Sequence, residues 1–200
     1  MHDYKLYISF IKKGAFSYKE EAEKLIKDLG LSYVELNKAL KIGKETWYNQ
    51  YIFWIKIGQL EHEEEVKKLI KDLGLSYVEL NEALGIGAKA LYEKYCKQIE
   101  EGDLRCEKDV KKLIEKYPFL SKRSLELALK TGKKKKYETC IGKIKDGYLD
   151  YKEGAEQLIK DLEMPSDELI EALKIGRQKL YKDAIKEAMS EIKRFCRNPL

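Results

Sequence analysis

The segment Lys24-Leu-Ile-Lys-Asp-Leu-Gly30 returns unchanged as Lys68-Leu-Ile-Lys-Asp-Leu-Gly74, 44 residues further on. A third copy begins at Lys112-Leu-Ile-Glu-Lys-Tyr117, again 44 on, and a fourth at Gln157-Leu-Ile-Lys-Asp-Leu162, 45 on, with one residue inserted near Pro118. A fixed period of this length restricts the chain to repeat architectures, in which one supersecondary unit is copied and neighbouring copies bury each other's apolar faces. Each unit holds roughly fifteen apolar side chains, which is marginal for independent stability, and stacking would supply the missing burial.

Within a period the pattern is helical throughout. Val66, Leu69, Ile70 and Leu73 lie at i, i+3, i+4 and i+7, one apolar stripe on a first helix that Gly74 can stop. Ser76 and Glu79 have the spacing of a capping box for a second helix whose buried face is Leu80, Ala83 and Leu84. The Gly85-Ile86-Gly87 segment reads as a tight turn into a third helix edged by Leu91, Tyr92, Tyr95 and Ile99. Glycine recurs at that opening as Gly43, Gly87, Gly132 and Gly176, and at the close of the third helix as Gly14, Gly58, Gly102 and Gly147. Pro118 and Pro165 both fall between first and second helices, where a missing N–H costs least. Leu60, Leu104 and Leu149 hold equivalent places in the short linkers between units.

Leu80, Leu84, Gly85, Ile86 and Leu91 together resemble the helix-turn-helix of DNA-binding tri-helical domains, with Asn81 where that pattern usually has alanine. The predicted fold is therefore all-α, a tandem array of four tri-helical, helix-turn-helix-like repeats of about 44 residues behind an N-terminal capping helix. The expected boundaries are 1–14 for the cap, 15–58, 59–102 and 103–147 for three repeats, and 148–200 for the fourth with a C-terminal extension. The cap, YKLYISFIKK, is apolar on most of its circumference, and its expected partner is the aromatic third helix of the first repeat, with Trp47, Tyr48, Tyr51, Phe53 and Trp54. If the two do not meet, that aromatic end is a surface for a protein partner or for self-association. At the other end Glu191 replaces the closing glycine, so the last helix is expected to run on toward Phe195 and stop near Pro199.

With 44% hydrophobic and 38% charged residues the chain can bury a core, and its longest apolar runs, such as Tyr51 to Ile55, are far too short to span a bilayer. The N-terminus has no apolar run followed by a small-residue cleavage site, and the expected compartment is the cytoplasm. Many Lys and Glu with few Asn and Gln suggest a thermophile. Cys96, Cys106, Cys140 and Cys196 form no C-x-x-C pair, and His2 and His62 do not complete a zinc set, so core cysteines and no metal or cofactor are expected. No nucleophile has a base in a recognisable arrangement, and no phosphate-binding or dinucleotide motif is present, which argues against an enzyme.

The most pointed polar feature is Lys133-Lys134-Lys135-Lys136, at the expected start of the third helix of repeat three, where a recognition helix meets a DNA groove. Residues 103–146 carry fourteen Lys and Arg against seven acids, or +7, whereas residues 59–102 carry six against ten, or −4. Basic charge is thus concentrated in one repeat rather than spread evenly along the array. Lys44, Lys89, Arg177 and Lys179, close behind the other opening glycines, complete the candidate contacts. Tyr48, Tyr92, Tyr137 and Tyr181 share one repeat position, suited either to stacking on bases or to the edge of a helical core. The leading functional expectation is non-catalytic binding of nucleic acid, most naturally duplex DNA. The second is a helical scaffold for protein, binding through a groove or through the aromatic end.

Overall fold

A computed structural model describes residues 2–197, with side chains over 3–194, and the described residues contain helices and short 3-10 turns but no strand. The helices are α1 (His2–Lys12), α2 (Lys19–Leu29), α3 (Val34–Lys56), α4 (Glu63–Leu73), α5 (Val78–Glu100), α6 (Glu107–Lys116), α7 (Lys122–Lys145), α8 (Lys152–Leu162) and α9 (Asp167–Arg197). Contacts divide the chain into two compact units, Met1–Glu93 and Lys94–Leu200, with α5 contributing to both.

The 44-residue period is realised as one short and one long helix, not as three short ones. The turn expected at Gly85-Ile86-Gly87 is absent, because α5 runs unbroken from Val78 to Glu100, and α3 and α7 pass through Gly43 and Gly132 in the same way. No helix-turn-helix is therefore formed at these sites. The glycines serve close packing instead. A Cβ on Gly87 would overlap the carbonyl oxygen of Ile55, one on Gly43 that of Ile11, one on Gly132 that of Ile99, and one on Gly176 that of Ile144. Each long helix thus crosses, with backbone against backbone, the last turn of the helix two before it: α3 on α1, α5 on α3, α7 on α5 and α9 on α7. The linker leucines complete the crossing, since Leu60, Leu104 and Leu149 each place a methyl group against the glycine.

The closing glycines behave as their spacing implies. Gly14, Gly58, Gly102 and Gly147 have φ between 92° and 101°. At Gly58 the N–H donates to Ile55 O (2.9 Å) and Gln59 N–H to Trp54 O (3.0 Å), the paired bonds of a Schellman cap, and Gly14, Gly102 and Gly147 repeat them. The short helices end similarly at Gly30 and Gly74, while the fourth copy forces Glu163 to φ 53°. In the third copy Pro118 keeps Tyr117 extended (φ −126°), and α6 stops one residue early.

The capping box expected at Ser76 and Glu79 does not form: the Ser76 Oγ accepts from Val78 N–H (3.2 Å), one residue short of Glu79, and Glu79 accepts from the Tyr48 hydroxyl (2.9 Å). In the first unit Tyr4, Ile8 and Ile11 of α1 pack with Ala22, Ile26, Leu36 and Ala39 in one core, and α1 occupies the place that the C-terminal half of a long helix takes elsewhere. Its covering is one-sided, with Leu6 left 45% exposed. The cap meets the aromatic helix through Trp47, whose indole N–H donates to Gly14 O (2.8 Å), and Thr46, whose hydroxyl reaches Lys12 O (3.2 Å). In the second unit Tyr137, Cys140, Ile141, Ile144, Ala155, Leu158, Leu169 and Ala172 form the corresponding core. The last helix does run past Glu191, as far as Arg197; Pro199 lies outside the described residues.

Candidate nucleic-acid interface

The loss of the turn moves the lysine run. Lys133–Lys136 lie in the middle of α7, so the helix dipole neither opposes them nor offers an anion site there. Four successive residues also turn through most of the helix circumference, so they cannot all face one groove. Lys133 is turned toward α8 and bonds Asp161 (2.7 Å), which also accepts from Gln157 (2.9 Å). These two donors, Lys133 first, hold the Asp161 carboxyl below its usual range. Lys134, Lys135 and Lys136 are exposed.

Two further candidates are likewise engaged within the protein. Lys44 of α3 pairs with Asp72 of α4 (2.6 Å), the same offset of 28 residues that joins Lys133 to Asp161. Lys179 of α9 pairs with Asp146 at the end of α7 (2.9 Å), which raises the lysine and lowers the aspartate. Lys89 and Arg177 are exposed. The sequence carries a trace of the Lys–Asp pairing that the period makes legible: at the same offset the second repeat has Ala88 with Lys116, so both members change together.

The shared tyrosine position is mostly structural. Tyr48, Tyr92 and Tyr137 are buried. Burial first, then the bond to Glu79, pushes the Tyr48 hydroxyl up to about 12. Tyr137 is raised by burial and by the neighbouring Glu168, and Tyr4 by burial and by Glu35. A tyrosine of one helix thus faces a glutamate 31 residues on in three places, a cross-period contact that motif reading within one repeat could not reveal. Only Tyr181 differs, at 69% exposed.

Two concavities lie beside these residues. In the second unit Leu127, Leu162 and Met164 floor a groove of about 720 Å³ bordered by Lys130 and Lys134. In the first, Phe16, Trp47 and Tyr51 line a pocket of about 440 Å³ with Glu65 and Lys68. Among the described residues no set of His, Cys, Asp or Glu is arranged to hold a metal ion, and no helix is long and apolar enough to cross a membrane. Compared with known proteins, the chain matches no protein family, no curated protein and no solved structure.

Proposed function

We propose that the chain is a non-catalytic helical-repeat scaffold that binds protein, with α9 as its docking face. One observation carries this reading. The pattern Tyr-x3-Ile/Cys-x2-Ile, met at Tyr4, Ile8 and Ile11, recurs at Tyr48, Ile52 and Ile55, at Tyr92, Cys96 and Ile99, and at Tyr137, Ile141 and Ile144, and in all four it is buried. The equivalent places on α9 keep Tyr181 and Ile185 but have Ala188 where the four have isoleucine, and here Tyr181 is 69% and Ile185 42% exposed. Met189 and Ile192 extend the same stripe and are also exposed. A helix face built like four buried ones and left bare is suited to receive another helix.

A second reading, binding of nucleic acid, draws on exposed Lys134, Lys135 and Lys136 and on the +7 charge of residues 103–146. It rests on phosphate attraction alone, without a recognition helix. Sedimentation equilibrium over a range of concentrations tests the first, with a second copy of the chain as the partner. Association that Ile185→Glu abolishes without lowering the melting temperature is the expected result. A monomer at every concentration, together with salt-dependent binding to duplex DNA or RNA that neutralising Lys134, Lys135 and Lys136 weakens, would move the function to nucleic acid.

A further inference from the structure

The geometry points to a binding site for a trimethylammonium group in the aromatic pocket of the first unit, and we propose that the protein captures such a cation there. Phe16, Trp47 and Tyr51 supply the walls. The rings are held in place before any ligand arrives. Trp47 lies 5.1 Å from Tyr51 and 6.2 Å from Trp54, and His62 lies 5.0 Å from both Tyr51 and Trp54. The single polar atom of the Trp47 ring is already spent on Gly14 O, so the indole offers the pocket its π surface and no hydrogen-bond donor.

Charge decides what such a pocket holds. Glu65, on the first turn of α4, lines it, and its Oε2 is closed off from solvent with no hydrogen-bond partner among the described residues. A glutamate at that place also favours the helix dipole, which explains its presence in α4 but not its unpartnered oxygen. A carboxylate with an unpartnered oxygen attracts a cation, and the negative faces of the rings attract one too. A quaternary ammonium suits both. It carries charge without N–H groups that would need acceptors, and its methyl groups pack on ring faces. A primary ammonium or a guanidinium could bond Glu65 through one N–H, but its remaining donors would find no acceptor on the rings. Lys68, an exposed residue, also lines the pocket and sets a like charge against an incoming cation.

The trimethylammonium group could belong to a choline-type small molecule or to a trimethylated lysine of a protein. Titration followed by Trp fluorescence, with choline, a trimethyllysine peptide, its unmethylated counterpart and the uncharged isostere 3,3-dimethylbutan-1-ol, separates these. The expected result is saturable binding of choline or the methylated peptide, tighter than the isostere by roughly tenfold. Glu65→Gln, which keeps the wall's shape, should weaken it by a similar factor, and Lys68→Gln should strengthen it by removing a like charge. A peptide preferred over choline assigns a protein ligand, and the reverse a small molecule. Equal binding of the isostere, an unchanged affinity in Glu65→Gln, or no saturable binding of either cation overturns the proposal. The site uses no residue of α9, so it and the docking face can fail independently.

Discussion

Two glycines of α5, two positions apart, should respond to alanine with opposite signs. Gly85 and Gly87 are both helical, and positive φ among the described glycines belongs to Gly14, Gly30, Gly58, Gly74, Gly102 and Gly147. Nothing lies within 4 Å of a Cβ built on Gly85. Gly85→Ala therefore gains the helix propensity of alanine, about 1 kcal/mol, without a clash. Gly87→Ala gains the same but drives its methyl into the Ile55 carbonyl, with Ile55 C at 2.9 Å and the Leu60 methyl at 3.0 Å. A backbone carbonyl cannot rotate aside as a side chain can. The helices must part, loosening fully buried Ile55, and overpacking of this kind costs about 1–3 kcal/mol. The two variants should then differ by about 1–3 kcal/mol, with Gly85→Ala above the parent chain and Gly87→Ala at or below it. Urea unfolding followed by far-UV circular dichroism reads this directly as a shift in midpoint at constant m. Destabilisation by Gly85→Ala would mean that Gly85–Gly87 is a turn after all, and stabilisation by both would mean that the helices do not touch at Gly87.

Tyr48 should make the fold alkali-sensitive. Its hydroxyl is raised to about 12, so the neutral form is favoured in the folded state. The stability this contributes is intact below pH 10 and is lost as pH rises from 10 toward 12, by up to about 2 kcal/mol. Tyr48→Phe should lower neutral-pH stability by about 1 kcal/mol and reduce the alkaline loss, as followed by melting temperature against pH; an unchanged alkaline profile would remove Tyr48 from the explanation. Glu163→Gly should stabilise by about 1 kcal/mol in thermal or urea unfolding, because it relieves a side chain at φ 53°. Deleting residues 2–13 removes Tyr4, Ile8 and Ile11 from their core, a loss of roughly 5 kcal/mol of burial. The truncated chain should melt lower or self-associate, and an unchanged melting temperature in a monomer would show that α1 is dispensable.

What the sequence determined by itself is what depends on neighbours along the chain. The amphipathic stripe Val66, Leu69, Ile70, Leu73 made a helix, Gly74 stopped it, and Gly58 and its equivalents closed the long helices with positive φ, because an apolar period and a left-handed glycine are local properties. The all-helical class, the helical run past Glu191 and the buried Leu80, Ala83 and Leu84 were legible for the same reason. Gly87 was not, since a glycine within an apolar pattern permits either a turn or a backbone crossing, and only the arrival of the Ile55 carbonyl selects the crossing. With that choice the lysine run passed from a helix start to the middle of α7, where Lys133 meets Asp161 from another helix. The pairs Lys44–Asp72 and Tyr48–Glu79 likewise join separate helices through a packing that no single repeat encodes. Helix ends are written in the residues beside them; the partner of a side chain is set by which helix packs across from it, and that is decided only when the chain folds.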